Sequence, residues 1–170
     1  MKQSALQSAE ASLTDALTGL GNRRMLEQAL VTEVTRVRRN GGTLSAIMAD
    51  LDHFKRINDE CGHGAGDRVL VRFGALLQSH TRPTDIVTRF GGEEFLLLMP
   101  QANLAQAASK AEQIRVALAA EIMAPPVVVV TSSFGVAELL HDEDGPSLLH
   151  RVDIALYRAK TGGRNQVVAA

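Results

Sequence analysis

The chain has 170 residues, which suits one domain with a substantial core and leaves little for a second. Its net charge of −1 at pH 7 provides no basic excess, so a polymeric nucleic acid is not an expected partner. The single cysteine, Cys61, excludes an internal disulfide and a multi-cysteine zinc site. No apolar run approaches the ~20 residues of a membrane span. We therefore expect a cytoplasmic domain without direct membrane contact. This expectation also allows a longer parent protein that is anchored to a membrane.

The first part of the chain predicts two helices around one strand. Residues 1–14 are polar and alanine-rich and predict a helical stub or linker. A helix is expected from Asn22, its cap, to about Asn40, because apolar residues recur at the helical period and two glycines follow. Residues 43–51 predict a buried strand, and residues 52–67 predict a polar connection with one helical turn. The next helix has its apolar residues on one face: Val69, Leu70, Phe73, Leu76 and Leu77.

The second part predicts strands with two further helices. "DIVTRF" and "EFLLLM" are short strands joined through Gly91-Gly92, which predicts a β-hairpin. A third helix is expected from Asn103, and "VVVVTSSFGVAEL" (127–139) predicts a strand. Residues 147–160 predict a last helix, and "NQVV" predicts an edge strand. Helices interleaved with strands, plus one hairpin, indicate an α/β sandwich with a mixed central sheet flanked by helices.

Carboxylates cluster at two predicted turns. "MADLDHF" places Asp50 and Asp52 at the end of a buried strand, and Glu93-Glu94 lie on the hairpin. If the two strands are neighbours, Asp50 and Glu93 converge. Converging carboxylates without a cysteine or a histidine pair suit a hard cation such as Mg²⁺, which would also offset their mutual repulsion. The alternative is that both glutamates are solvated turn residues.

The segment "FKRINDECGHGAGD" (54–67) adds groups that suit a nucleotide. Its glycines allow close backbone approach, and Lys55 supplies a point charge for a phosphate. Asn58 offers a donor and an acceptor, and Asp67 can accept from two N–H groups of guanine. The alternative is an ordinary surface loop in which Asp67 caps a helix.

Four motifs in order resemble the GGDEF family of diguanylate cyclases. These are "DALTGLGNRR" (15–24), "DLDHFKRINDECGHGAGDRVL" (50–70), "RFGGEEF" (89–95) and "VDIALYRAKTGGRN" (152–165). Glu93 stands at the third position of the name-giving loop, a variant that the family accepts, and Val152 stands where alanine is usual. The resemblance covers about Asp15 to Val168 and implies a catalytic domain over residues 15–170. The family's fold is similar to the cores of nucleotide cyclases and polymerase palms.

The resemblance implies a reaction that joins two GTP molecules into cyclic di-GMP and releases two pyrophosphates. Asp50, Glu93 and the carbonyl of Leu51 would bind Mg²⁺, with Mn²⁺ as a substitute. Glu93 would also be the general base, with Glu94 as a neighbouring acidic group. The implied substrate-binding residues are Phe54, Lys55, Asn58, His63, Asp67, Lys160 and Arg164. One domain holds one GTP, so the resemblance implies a transient homodimer as the active form. Aspartate at position 67 favours GTP over ATP.

A second site is implied at "RPTD", which contains Arg82 and Asp85. Its position before the hairpin matches the family's inhibitory site, which binds cyclic di-GMP. Arginine can pair with O6 and N7 of guanine, as it does in protein–DNA contacts. Such a site usually needs another arginine, for which Arg115 is a candidate.

Two alternatives to an active cyclase follow from the same residues. A catalytically silent domain would bind cyclic di-GMP at Arg82 and Asp85 as a receptor, and a scaffold would only dimerise. The intact set of metal and base residues argues against the receptor. A scaffold would leave Asn58, Asp67, Lys160 and Arg164 as coincidences. In the family a sensory or receiver domain normally precedes the catalytic domain. We therefore expect control by an upstream domain or a partner protein.

Overall fold

A computed structural model describes residues 12–127 and 129–170. Within these residues the helices are α1 (Arg23–Asn40), α2 (Phe54–Cys61), α3 (His63–Ser79), α4 (Leu104–Ala120) and α5 (Gly145–Thr161). The strands are β1 (Leu44–Leu51), β2 (Ile86–Arg89), β3 (Glu94–Pro100), β4 (Ser132–Glu138) and β5 (Val167–Ala169). The predicted stub of residues 1–14 lies almost entirely outside the described residues. No helix in the described ranges has both the length and the apolar character needed to cross a membrane.

The strands form one mixed sheet in the order β2-β3-β1-β4-β5. Strand β1 pairs antiparallel with both β3 and β4, and β5 adds a parallel edge to β4. β2 and β3 form the predicted hairpin. The predicted neighbourhood of the acidic strand and the hairpin strand is therefore confirmed, and the fold has the expected mixed sheet flanked by helices.

Alternation along β1 separates two apolar cores. Ile47, Ala49 and Leu51 pack with the core beneath α3 and α4, where Phe73 and Phe95 meet edge to face. Leu44, Ala46 and Met48 face the opposite core beneath α1 and α5. Because successive side chains of a strand point to opposite faces, Asp50 and Asp52 follow the α1 and α5 side. The alternation therefore directs Asp50 and Asp52, at the end of β1, towards the end of α5.

Helix α5 approaches β4 unusually closely at one glycine. A Cβ atom on Gly135 would lie 2.4 Å from both Leu156 N and Val152 O. Only a residue without a side chain permits this separation, so α5 packs directly on the backbone of the sheet. The close contact sets the height at which the C-terminal turn of α5 stands beside the end of β1.

Three sequence-based boundaries were wrong. The connection 52–67 is two helices, because only Gly62 (φ 85°) breaks the chain while Gly64 and Gly66 lie within α3. The fourth strand begins at Ser132 rather than at Val127. The last helix begins at Gly145, where Asp144 accepts a hydrogen bond from Ser147 N.

Candidate active site

The end of β1 presents a buried carboxylate. Asp50 is 3% exposed, and the Lys160 Nζ donates to its Oδ2 at 2.6 Å. The backbone oxygen of Asp50 accepts from Ser132 Oγ at 2.8 Å. Strand β1 and the C-terminal turn of α5, 110 residues apart in sequence, therefore meet at one ion pair.

The charge of Asp50 is unfavourable where it lies. Burial raises the pKa of this carboxyl from 3.8 to about 6, with smaller contributions in the same direction from the charges of Glu93 and Glu94. The hydrogen bond and the charge of Lys160 lower the pKa and only partly offset the burial. A negative group that lacks sufficient compensating positive charge is a candidate cation ligand.

The hairpin loop lies directly beside this carboxylate. Asp50 and Glu94 are register partners across β1 and β3, and Leu51 N donates to Glu93 O at 3.3 Å. Phe90 N also donates to Glu94 O at 2.8 Å, which closes the loop. Glu93 and Glu94 are half-buried rather than fully solvated. The predicted convergence of Asp50 and Glu93 is therefore observed.

Arg89 connects the loop to the start of the domain. Its Nε and Nη2 donate to Gly92 O at 3.0 and 2.8 Å, and its Nη1 lies 3.3 Å from Asp15 Oδ1. Asp15 also accepts from Thr18 N and Thr18 Oγ1, and these bonds and Arg89 keep its pKa below the ordinary value despite partial burial. One side chain thus ties the N-terminal turn to the acidic loop. Pattern reasoning gave no role to Arg89.

A cleft of about 170 Å³ joins these groups. Seven residues predicted for the site line it: Asp50, Leu51, Phe54, Lys55, Glu93, Lys160 and Arg164. The start of α2 also opens on this cleft, and His53 precedes it in the left-handed conformation (φ 56°). The N–H groups of a helix start and three cationic side chains favour an anion such as a polyphosphate.

The acidic groups fit a metal that is shared with a substrate. Two carboxylates and a backbone carbonyl are hard oxygen donors of the kind that Mg²⁺ and Mn²⁺ take. Across residues 12–127 and 129–170 no three His, Cys, Asp or Glu side chains form a group able to hold a metal alone. Phosphate oxygens would therefore have to supply further ligands.

The residues predicted to read guanine lie on α2 and α3. A Cβ on Gly66 would lie 1.9 Å from Asn58 Oδ1, so the amide of Asn58 sits against the residue preceding Asp67. Asp67 borders a mainly apolar surface depression that also includes Leu17. His63, the first residue of α3, is exposed. None of these three groups lines the acidic cleft.

Asp52 differs from Asp50 although both are buried at the end of β1. Its Oδ1 accepts from Ser133 Oγ at 2.6 Å. Its Oδ2 accepts from Thr131 Oγ1 at 2.7 Å and from Asn165 N at 3.0 Å. Asp52 is therefore surrounded by donors, whereas Asp50 meets a lysine and two neighbouring carboxylates.

Arg82 and Asp85 form a turn in which they bind each other. Arg82 N donates to Asp85 Oδ2 at 2.9 Å, and Arg82 Nη2 lies 3.2 Å from Asp85 Oδ1. Asp85 has a fully buried side chain, while that of Arg82 is 51% exposed. Arg115 lies elsewhere: its Nη1 donates to Asn165 Oδ1 at 3.0 Å. Within this single chain Arg115 therefore belongs to the surroundings of the acidic cleft.

A mixed sheet that carries an acidic hairpin beside a cleft lined by cationic side chains is the arrangement that the resemblance to cyclase domains predicts. The sequence model described as "Diguanylate cyclase, GGDEF domain" matches residues 12–166. The chain belongs to this family.

Relatives and solved structures agree with this assignment. The chain is 42% identical over 164 residues to diguanylate cyclase DgcP of Pseudomonas aeruginosa, covering 95% of this chain and 24% of that protein. The GGDEF domain of DgcB from Caulobacter crescentus, solved in complex with cyclic di-GMP, has a TM-score of 0.91 and 34% identity, and the match covers 93% of this chain and 95% of that one. Diguanylate cyclase SiaD of Pseudomonas aeruginosa, solved with its activator SiaC, has a TM-score of 0.90 and 41% identity, covering 100% of this chain and 66% of that one. The chain thus spans about a quarter of the curated relative DgcP.

Proposed function

We propose that this domain is a diguanylate cyclase that condenses two GTP molecules into cyclic di-GMP and releases two pyrophosphates. The observation that carries the proposal is the convergence of buried Asp50 and Glu93 on a cleft that Lys55, Lys160 and Arg164 also line. Acidic and cationic groups in one cleft suit a metal–nucleotide complex. A dimerisation scaffold has no use for a carboxylate buried at an unfavourable pKa.

The oxygen donors of the cleft would hold Mg²⁺, with Mn²⁺ as a substitute. The ligands would be Asp50, Glu93 and the Leu51 carbonyl, together with oxygens of the triphosphate. A bound divalent ion lowers the pKa of a hydroxyl and neutralises charge on a leaving pyrophosphate.

The side chains of this chain would perform the remaining work. Glu93 would accept the proton of the attacking 3′-hydroxyl, and Glu94 would keep the loop acidic beside it. Lys55, Lys160 and Arg164 would bind the phosphates and stabilise the charge that develops on the leaving group. Phe54 would lie at the phosphates.

Selection of the base would depend on α2 and α3. The amide of Asn58 would pair with the guanine edge, and Asp67 would accept from its N–H groups. His63 would lie near the substrate. The carboxylate at position 67 is the reason to expect GTP rather than ATP as substrate.

Two copies of the domain would have to meet for each reaction. One cleft positions one GTP, and the 3′-hydroxyl of each must attack the α-phosphorus of the other. We therefore propose a transient homodimer, with an upstream sensory or receiver domain or a partner protein setting its geometry. The solved structure of SiaD with its activator SiaC supports control of this kind, since the whole of this chain aligns with SiaD.

Product feedback would use the turn at Arg82 and Asp85. The guanidinium of Arg82 is half exposed and can reach a guanine. Asp85 is buried and already accepts from Arg82, so in this geometry it would orient the guanidinium towards the ligand. The structures of DgcB from Caulobacter crescentus in complex with cyclic di-GMP support product binding by a domain of this family.

The test is product formation from GTP and Mg²⁺ at several protein concentrations, with and without a fused dimerising helix. Glu93→Ala should lose at least about 10³-fold in rate, because both the metal ligand and the base are removed. Glu60→Ala is the matched control, since Glu60 is an exposed glutamate paired with Arg56. Wild-type protein that stays inactive under forced dimerisation, yet binds cyclic di-GMP, would be a receptor instead.

A further inference from the structure

Asp52 is a buried carboxylate to which neither the proposed metal site nor the proposed base gives a role. It is 5% exposed and forms no ion pair within the described parts of the chain. Its three hydrogen-bond donors are two hydroxyl groups, from Thr131 and Ser133, and the backbone N–H of Asn165. The third donor lies in the turn that follows α5.

The turn after α5 has a backbone conformation that needs support. Arg164 and Asn165 have φ values of 61° and 45°. These values lie in the left-handed region, which is uncommon for residues other than glycine. Non-glycine residues in this conformation cost about 1–3 kcal/mol each and persist only where the surroundings hold them. The structure must therefore contain contacts that stabilise this turn.

Those contacts come from three directions. Asn165 N donates to Asp52 Oδ2, and the Asn165 side chain accepts from Arg115 Nη1 at 3.0 Å. Arg164 N donates to Ala159 O at 3.0 Å, and Gln166 Nε2 donates to the same oxygen at 2.9 Å. Two of these bonds are charge-assisted, which is the stronger type: Arg115 donates to the Asn165 side chain, and the carboxylate of Asp52 accepts from the Asn165 backbone. Of the two, only the bond to Asp52 holds the turn directly through its main chain. Arg164, held between these contacts, lines the acidic cleft.

We propose that Asp52 is a positioning residue that fixes the turn after α5 and thereby places Arg164 at the triphosphate. The inference rests on the proposed function in one respect, namely that GTP phosphates occupy the cleft. Asp52 also lines the cleft, but protein donors occupy both of its carboxylate oxygens, so it acts through the Asn165 backbone.

The hydrogen bonding separates Asp52 from a metal ligand. Its Oδ2 already receives two donors and its Oδ1 a third, so a cation would have to displace donors to approach the carboxylate. The carboxylate of Asp50 accepts a hydrogen bond only from Lys160 among the described residues. Two aspartates at i and i+2 would suggest a shared metal, yet their partners give them different roles.

Substitution by asparagine distinguishes positioning from charge or metal binding. In Asp52→Asn the amide oxygen can keep the Oδ2 position and still accept from Asn165 N. The amide NH₂ then donates to Ser133 Oγ, since a hydroxyl can reverse its role. Asp52→Ala removes the acceptor altogether. A positioning residue therefore tolerates asparagine, whereas a metal ligand or an essential charge does not.

The experiment measures binding of 3′-deoxy-GTP with Mg²⁺ by calorimetry. This nucleotide lacks the attacking hydroxyl, so binding is read without turnover. Asp52→Ala should weaken binding roughly tenfold, the loss expected for one misplaced charge-assisted phosphate contact. Asp52→Asn should remain within about threefold of wild type. Ser133→Ala, which removes a donor to the same carboxylate but leaves the turn contact, is the matched control and should bind normally.

A double-mutant comparison with Arg164→Ala tests whether Asp52 acts through Arg164. In Arg164→Ala protein, Asp52→Ala should add no more than about a twofold loss, because the residue through which Asp52 acts is already absent. Equal losses in both backgrounds would overturn the proposal, and so would an Asp52→Asn variant as weak as the alanine variant. If Asp52→Ala does not fold, the Asp52→Asn result decides alone. Failure of wild-type protein to bind 3′-deoxy-GTP would refute the proposed function instead.

Discussion

Replacing Asp50 by asparagine should stabilise the fold while it abolishes the proposed activity. The carboxylate lies 3% exposed beside two further acidic residues, and burial raises its pKa from 3.8 to about 6. An asparagine has the shape of the protonated acid and can still accept from Lys160. The substitution removes the unfavourable charge without opening a cavity.

The size of the effect follows from the pKa difference. About 2 pKa units at about 1.36 kcal/mol each give about 3 kcal/mol for ionising Asp50 in the folded rather than the unfolded state. Because the folded pKa is the higher one, the folded state binds the proton more tightly. The contribution of Asp50 to the free energy of unfolding of the wild type therefore falls by about 3 kcal/mol as the pH rises from about 4 to about 6. The asparagine variant should gain up to about 3 kcal/mol above pH 6 and little below pH 4.

Thermal unfolding in EDTA tests this reasoning. A gain of about 3 kcal/mol corresponds to a rise in Tm of about 6–12 °C for a domain of this size. Asp52→Asn is the matched control, since three hydrogen bonds already stabilise that carboxylate and no gain is expected. Added Mg²⁺ should then raise the Tm of wild type more than that of Asp50→Asn. A lower Tm for Asp50→Asn at pH 7.5, or a difference that does not vary with pH, would refute the argument.

Three further outcomes are expected. Gly66→Ala should raise the KM for GTP at least about tenfold, because its Cβ would lie 1.9 Å from Asn58 Oδ1. Gly64→Ala, where the nearest atom lies at 3.6 Å, is its control and should bind GTP normally. Arg89→Lys loses the two hydrogen bonds that Arg89 donates to Gly92 O, so kcat should fall about tenfold while KM is retained. An unchanged kcat would contradict the idea that Arg89 positions the acidic loop. EDTA should abolish formation of cyclic di-GMP and Mn²⁺ should restore it.

The strongest sequence signals proved to be those with a local physical cause. Asn22 caps α1 as predicted, and its side chain accepts from Met25 N at 3.0 Å. The carboxylates after a buried strand and at a tight hairpin were found side by side, because register follows from the alternation of apolar residues. Local sequence placed Asp50 at the end of a strand and Glu93 on a hairpin, and the pairing of β1 with β3 brought them together.

Other features depended on contacts that no local pattern reveals. Gly64 and Gly66 resemble loop residues in the sequence, yet both lie in the first turn of α3. Position 66 requires glycine because Asn58 approaches it closely, and not because the chain turns there. Arg115 could be assigned only after α4 was seen to face the turn at Asn165. The bond from Asn165 to Asp52 spans 113 residues and has no signature in the sequence.

The backbone contact at Gly135 has a consequence for control. Val152 O and Leu156 N pack against the backbone of β4 at Gly135, and this close contact resists sliding of α5 over the sheet. Lys160 at its end is therefore held at Asp50 as firmly as a residue of the sheet itself. We therefore do not expect an incoming signal to act by moving α5 relative to the sheet within the domain. We expect signals to alter how often, and at what angle, two finished halves meet.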